Sequence, residues 1–561
     1  MKISIFNKAL FLTGVLFLAN ACTKELEEYN PTGLTAELAY TTPAGFESLV
    51  NATYAQARWW YGKEEGYGLS EMGTDLWQPA VDNRNTEIMF YNNLQGNQAF
   101  IETLWGKLYG AVNLCNTGIK GVKDSGLSAA LQQTREGELR FLRAFYYWHI
   151  VETWGGVHFQ TEPTVGSQTT ANRTPVQTFY NQIIEDLEKA ISFLPNTTTE
   201  YGRVTKPAAE AFLARIHLTA GNNQQASDLA QKVISDYSYT LIPKYGDLWL
   251  MNNLKNSEVI WAVNYTANLA LSDLTNPISN PVGHTRGGHN GHLMFLMTYD
   301  RNGTYGMNRD LANGRPFARY MPSRFLLDLF TEANDSRYEG SFQEVWKCNK
   351  AGTAKKRVGA VEIDVTFAVG DTCLCARKFD VPDDVDLTKN YLIYDRSSMY
   401  KADGKYNNNA QYVSLKKFLD PTRPSIAEQQ SARDAFVIRL AEMYLIAAEA
   451  EFNLGNAPKA ADLVNVVRTR AAKAGKVAEM QITAADINID FLLDERAREF
   501  AGEQLRWFDL KRTGKLVERV AAHNPEATEF VKPFHMLRPI PQRELDAVLN
   551  KDEFVQNPGY N

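Results

Sequence analysis

The stretch Phe436–Arg470, FVIRLAEMYLIAAEAEFNLGNAPKAADLVNVVRTR, decides how the rest of the chain is read. Phe436, Leu440, Met443, Tyr444, Ala447, Ala448 and Phe452 recur at helical spacing and form one broad apolar face. Gly455-Asn456 ends that helix at a left-handed position that a β-branched residue resists. A second helix restarts through Ala460, Leu463, Val464 and Val467, which makes the stretch an antiparallel helical hairpin. Ala208–Ile234 repeats the pattern: Ala214, Gly221, Ala226, Ala230 and Val233 keep the spacing of Ala448, Gly455, Ala460, Val464 and Val467. Small residues let two helices approach closely, and the glycine makes the turn. This is tetratricopeptide-like spacing, in which hairpins stack to bury their open faces, and it outweighs two unrelated hairpins in an α-rich chain. The fold class read from it is mostly α: a tetratricopeptide-like helical-repeat scaffold.

The whole composition sets wider bounds. A chain of 561 residues exceeds one typical core, so several substructures are expected. Hydrophobic residues at 44% and aromatics at 11% fit a folded chain. A formal charge of −6 without a dense basic stripe argues against nucleic acid as a partner. Five cysteines, one in the leader, do not make a disulfide framework, although Cys348 can pair with either Cys373 or Cys375 in an oxidising compartment.

Residues 1–21 form a secretory signal, with Lys2 and Lys8 before an apolar run from Ala9 to Ala19. Cys22 directly after Leu18-Ala19-Asn20-Ala21 resembles a bacterial lipoprotein box, and several acyl chains there would anchor the protein stably. The acidic residues after Cys22 resemble the surface-export signals of Bacteroidota-type lipoproteins, and residues 22–42 read as a lipidated cysteine and tether. Residues 43–242 form an N-terminal helical part. Within it, Arg58-Trp59-Trp60-Tyr61, Glu71–Trp77, Asn83-Arg84 and Tyr91-Asn92-Asn93 interleave rings with polar groups in loop-like sequence. Rings stack on the C–H faces of sugars while Asp, Asn and Arg hydrogen-bond hydroxyl pairs, so a binding surface is expected here. Glu138–Thr153 reads as an amphipathic helix whose His149 is a core or cap residue, and Arg173–Phe193 as another that Thr174-Pro175 opens.

Residues 243–431 change character. Helical periodicity weakens, Gly, Asn and Asp increase, and short strands such as Glu258–Asn264 are expected: a loop-rich, substrate-binding insertion. Gly283–His292 carries His284, His289 and His292 among glycines, which suits a ligand-contacting loop better than the fixed geometry of a metal site. Residues 432–561 return to helix. Phe491–Leu516 reads as one regular helix whose Glu495, Glu499 and Glu503 pair with Arg496, Arg498 and Arg506 along a charged face.

Several motifs in this order resemble the SusD/RagB family: Arg140–Gly156 (RFLRAFYYWHIVETWGG), Arg439–Ala450 (RLAEMYLIAAEA), Glu495–Leu510 (ERAREFAGEQLRWFDL), Pro539-Ile540-Pro541 and Gln556–Tyr560 (QNPGY). The resemblance spans essentially the whole mature chain. It implies an α-helical scaffold with a loop-rich ligand face, on a lipid-anchored surface protein of the outer membrane. Such proteins cap a TonB-dependent SusC-like transporter and capture an oligosaccharide, or alternatively a peptide, without catalysis and with no cofactor or metal. Carried over by position, Asp75, Trp77, Arg84, Tyr91 and Asn92 are the early-loop contacts expected from the family, and His289, Tyr299 and Tyr305 the insertion-side contacts. A secreted glycoside hydrolase is the alternative outside the family. It needs two carboxylates across a cleft, and the sequence offers Glu71 and Asp75 without pairing either.

Overall fold

The computed structural model describes residues 40–268, 288–301 and 305–560. The signal and Cys22, and the loop histidine His284, lie outside the described residues. The described helices of ten or more residues are α1 (Pro43–Gln56), α2 (Ala99–Gly121), α3 (Ala129–Trp154), α4 (Val176–Phe193), α5 (Lys206–Thr219), α6 (Asn223–Asp236), α7 (Leu440–Asn453), α8 (Ala457–Ala471) and α9 (Ile489–Phe500). No described helix is long and apolar enough to cross a membrane.

The two hairpins in the sequence are α5–α6 and α7–α8, and their turns are copies of each other. Gly221 and Gly455 have φ of +79° and +83°. In each, the amide after the glycine reaches back to close the helix end: Asn222 N–H to His217 O and Asn456 N–H to Glu451 O, both 2.8 Å. The hairpins pack on one another through α6 and α7. Ala226, Ala230, Ala447 and Ala448 are fully buried, Ser227 donates to Glu451 across the contact at 2.5 Å, and Asn453 donates to Asn223 at 3.1 Å. The mostly α, tetratricopeptide-like fold class is therefore the observed one.

Four boundaries differ from the reading of the sequence, one of them the start of α3 at Ala129, nine residues before the expected Glu138. Phe436 belongs to a strand, not to α7. Strand β5 (Ala435–Arg439) pairs antiparallel with β1 (Val259–Val263), Phe436 lying opposite Ala262, and the helix begins only at Leu440. Helix α4 starts at Val176 with Pro175 as its cap, and Thr174, restricted by the proline that follows it, stays outside the helix. The expected helix Phe491–Leu516 is broken. After α9 the chain turns through Gly502 (φ +79°) and Gln504 (φ +63°) before a short helix, Arg506–Arg512. The break is held by the early segment: the Gln504 amide donates to Glu71 Oε1 at 2.7 Å, and the Gln504 side chain bonds Gly62 N and Trp60 O.

Helix α3 is buried on nearly every side from Gly137 to Trp154 and forms the centre of the N-terminal half. His149 is in that core as expected, its Nδ1 2.8 Å from Phe145 O and its ring edge-on to Trp60 at 4.5 Å. Burial lowers its pKa to about 3.

Between β1 and β5 the insertion contributes short strands and loops, including a hairpin of β2 (Gly352–Val358) and β3 (Val361–Phe367), followed by β4 (Thr372–Ala376). Cys348, Cys373 and Cys375 are separate buried thiols, as is Cys115, so the disulfide that the spacing allowed is not formed in this structure.

The glutamates of α9 do form ion pairs, but in the interior and largely with arginines from elsewhere. Glu495 and Glu499 receive Arg337 at 2.8 and 3.1 Å, Glu499 also meets Arg439 at 2.6 Å, and Arg468 reaches Glu495 at 2.7 Å. Arg439 further binds Glu258 and Glu503 at 2.7 and 2.8 Å, and Lys417 binds Glu503 at 2.9 Å. One charged network thus joins β1, β5, α8, α9 and the insertion.

Candidate functional site

The early loops and the insertion are stitched together before they reach the surface. Trp77–Pro79 runs antiparallel to Tyr320–Pro322, with Trp77 opposite Pro322 and Pro79 opposite Tyr320. Beyond that ladder, Ala80 N and Asp82 N donate to Arg319 O and Ala318 O, Asn83 Nδ2 donates to Arg319 O, and Val81 N donates to Asn409 O. Ala318 takes φ +47°, which turns the insertion strand outward at this point.

A polar and aromatic patch results. Asp82 and Arg301 face each other at 3.9 Å, and each is about half exposed (49% and 48%). Beside them, the Arg315 and Arg319 guanidiniums lie 5.6 and 5.3 Å from the Phe317 ring centre, which fixes a partly exposed ring against two cations. Arg319 is anchored by Glu64 at 2.7 Å and by Asp82 O, and Arg309 by Asp300 at 2.6 Å. Arg84, Asn92 and Asn93 are exposed on the same early segment. The arrangement offers hydroxyl-binding charges next to a ring held in place before any ligand arrives.

Five of the eight positions expected at the ligand face are interior. Trp77 is fully buried, its Nε1 donating to Glu71 Oε2 at 2.7 Å and its ring 4.7 Å from Phe295. Asp75 is fully buried between Arg506, which binds it through both oxygens at 2.8 and 2.6 Å, and Arg519 at 3.0 Å. Burial alone would raise the Asp75 carboxyl, but the two guanidiniums outweigh it and hold it at about 2. Tyr91 sits at φ +61° with its hydroxyl donating to Gly73 O at 2.6 Å. His289 is buried and bridges Ser431 through its backbone, and Tyr299 is buried with its hydroxyl on Gly314 O at 2.5 Å. These five residues build the scaffold and cannot stack on a ligand from where they stand. Arg84 and Asn92 face solvent. Tyr305 is partly exposed and lies against Tyr394 at 6.3 Å, nearer the strands of the insertion.

All ten tryptophans are buried, so stacking at this face falls to Phe317 and its neighbours. Phe317 and its arginines were missed in the sequence, though a signal exists. Arg315, Phe317 and Arg319 alternate with period two, the pattern that an extended segment would place on one side, although Ala318 at φ +47° bends the chain here.

Residues 257–560, a little over half of the chain, match the SusD family, and residues 35–218 match a profile described as "starch-binding associating with outer membrane". The chain belongs to the SusD family. One SusD relative, SusD-like protein P25 of Formosa agariphila, is 26% identical over 587 residues and covers all of both chains. The starch-binding protein SusD of Bacteroides thetaiotaomicron is 25% identical over 477 residues, covering 78% of this chain and 74% of that one. Among solved structures, surface glycan-binding protein A of Bacteroides thetaiotaomicron in complex with laminarihexaose aligns with a TM-score of 0.68 at 20% identity. That alignment covers 92% of this chain and 99% of the other, and it shows a shared fold.

Proposed function

We propose that this SusD-family chain binds an oligosaccharide at the patch around Phe317, without cleaving it, and passes it to a TonB-dependent SusC-like transporter. The observation that carries the reading is the exposed Asp82–Arg301 pair beside a partly exposed ring held by Arg315 and Arg319. A sugar presents a C–H face to the ring and hydroxyl pairs to the charges. Relatives named for starch and laminarihexaose support sugar over peptide. A hydrolytic reading finds no support in Glu71 and Asp75. Asp75 is clamped by two arginines, and Glu71 is buried on Trp77 and the Gln504 amide, where desolvation lifts its pKa to about 8.

Calorimetry of the purified chain against neutral plant, host and microbial polysaccharides tests the proposal. Heat is expected with one polymer class. Phe317→Ala should weaken that binding by about ten- to a hundredfold, the value of one buried ring. Wild-type affinity in Phe317→Ala and Arg301→Ala, or heat with peptides alone, would remove sugar capture from this face.

The same reading places the chain at the outer membrane through acyl chains on Cys22, as a lid whose open and closed states a ligand shifts. The stacked hairpins supply the broad rigid surface for the transporter. Cys22→Ser is expected to move the protein from the membrane fraction to the soluble one, as seen by fractionation of expressing cells. Continued membrane retention would argue against lipid at that residue.

A further inference from the structure

A groove of the insertion shares none of its lining residues with the patch around Phe317. It lies where α8 gives way to the loop 472–476, against residues 243–251 and the short helix Ser336–Ser341. Its deeper part is a cleft of about 1090 Å³, and a second cleft of about 530 Å³ continues it through the shared residues Glu339, Lys416 and Lys473. Together they exceed the usual volume of pockets that enclose small organic ligands, which suits an extended chain better than a single small molecule. The floor is rigid: Tyr245 donates to Glu499 O at 3.0 Å, and Trp249 lies with its ring centre 4.7 Å from Lys417 Nζ.

The walls carry more cations than carboxylates, although four of the six cations are ion-paired. Six cations line the two clefts against four carboxylates, where the complete sequence carries −6. Lys473 is neutralised by Glu339 at 2.7 Å, and Arg377 by Glu344 at 2.8 Å. Among the described residues Lys416, on the shared waist, makes no ion pair. Burial lowers the pKa of its ammonium, and Glu339 offsets that only in part. At the outer end stands Phe379, a ring 51% exposed. A half-buried ammonium that no carboxylate pairs directly and an exposed ring along one groove are complementary to an acidic sugar chain. The anion would meet the cation, and a ring face would cover the phenyl.

We infer that this groove is a second binding site, taking an oligosaccharide that carries carboxylate or sulfate groups, with Lys416 meeting the anion and Phe379 stacking on a neighbouring sugar. The inference shares with the proposed function the idea that the chain binds sugars, but it uses none of the residues around Phe317.

Titration calorimetry of the purified full chain tests it with three probes: an oligogalacturonate, a sulfated laminari-oligosaccharide and the unsulfated parent. Both or one of the acidic probes should bind, with affinity falling as salt is raised from about 50 mM to about 500 mM. Lys416→Gln and Phe379→Ala should each weaken that binding by about tenfold, while Phe317→Ala leaves it unchanged. Which acidic probe responds tells carboxylate from sulfate. No heat with either acidic probe overturns the inference, as does acidic binding that survives both substitutions or is lost in Phe317→Ala. Binding of the unsulfated probe that Phe317→Ala abolishes belongs to the Phe317 patch and leaves the groove standing.

Discussion

Replacing Arg439 by methionine is expected to lower the stability of the folded chain by about 3–5 kcal/mol, the cost of leaving buried charges without their partner. Arg439 is fully enclosed and holds Glu258, Glu499 and Glu503 at 2.7, 2.6 and 2.8 Å, with a further bond to Glu499 O at 2.9 Å. Methionine fills much of the same volume, so the loss reports charge rather than a cavity. The sign of the pH dependence follows from the carboxylates. Burial raises Glu495 and Glu499, but the surrounding arginines outweigh it and hold both below the ordinary 4.5, Glu495 at about 2. Their contribution is complete above 4.5 and is lost as pH falls toward 2, because the unfolded chain takes up protons first. In Arg439→Met the depression of Glu499 weakens. The deficit relative to the parent should therefore be largest at neutral pH and shrink in acid. Urea unfolding followed by tryptophan fluorescence at several pH values measures it. Equal midpoints at pH 7 would mean that the network contributes nothing.

Trp77→Ala is expected to cost about 3–5 kcal/mol of stability through the cavity it leaves. It should not act as the loss of a sugar-stacking ring. The indole is packed against Phe295 and Tyr320, and its N–H is a direct donor to the buried Glu71. Trp77→Phe separates the two contributions: it keeps most of the packing and removes only that hydrogen bond, for a smaller loss of about 1–3 kcal/mol. Both variants, measured where they remain folded, should bind ligand as the parent does. A Trp77→Ala chain with parental stability and no ligand binding would return the ring to the ligand surface.

The scaffold was legible because hairpin packing writes itself locally. Alanines at fixed intervals and one glycine per turn specify both α5–α6 and α7–α8, and the family motifs run through the same helices. Phe436 misled because it sits four residues before Leu440, a helical spacing. The strand that claims it is decided by Val259–Val263, far away in sequence. The ligand face was less legible for a similar reason. Rings among Gly, Asn and Asp look like surface, yet Trp77, Asp75 and Tyr91 are covered by Phe295, Arg506 and His535 from the other half of the chain. The charges of α9 read as a solvated stripe because four of the cations that enclose them, Arg337, Arg439, Arg468 and Arg470, lie in other segments. Composition marks which residue types gather in a region, whereas burial is fixed by partners hundreds of positions away.

The β1–β5 pairing gives the insertion the character of an exchangeable cassette. Val263 and Ala435 are ladder neighbours, so the chain leaves and re-enters the helical body through one gate. Lengthening a loop beyond such a gate is cheap, about 0.6 kcal/mol for each doubling. Insertions from other members could be spliced at this gate without disturbing the stacking of α6 on α7. The cassette is not electrically neutral to its host, however. Arg337 and Lys417 travel with it, while Glu495, Glu499 and Glu503, which they neutralise, stay behind. A graft that omits those two cations would need two of the host glutamates changed to neutral residues to fold.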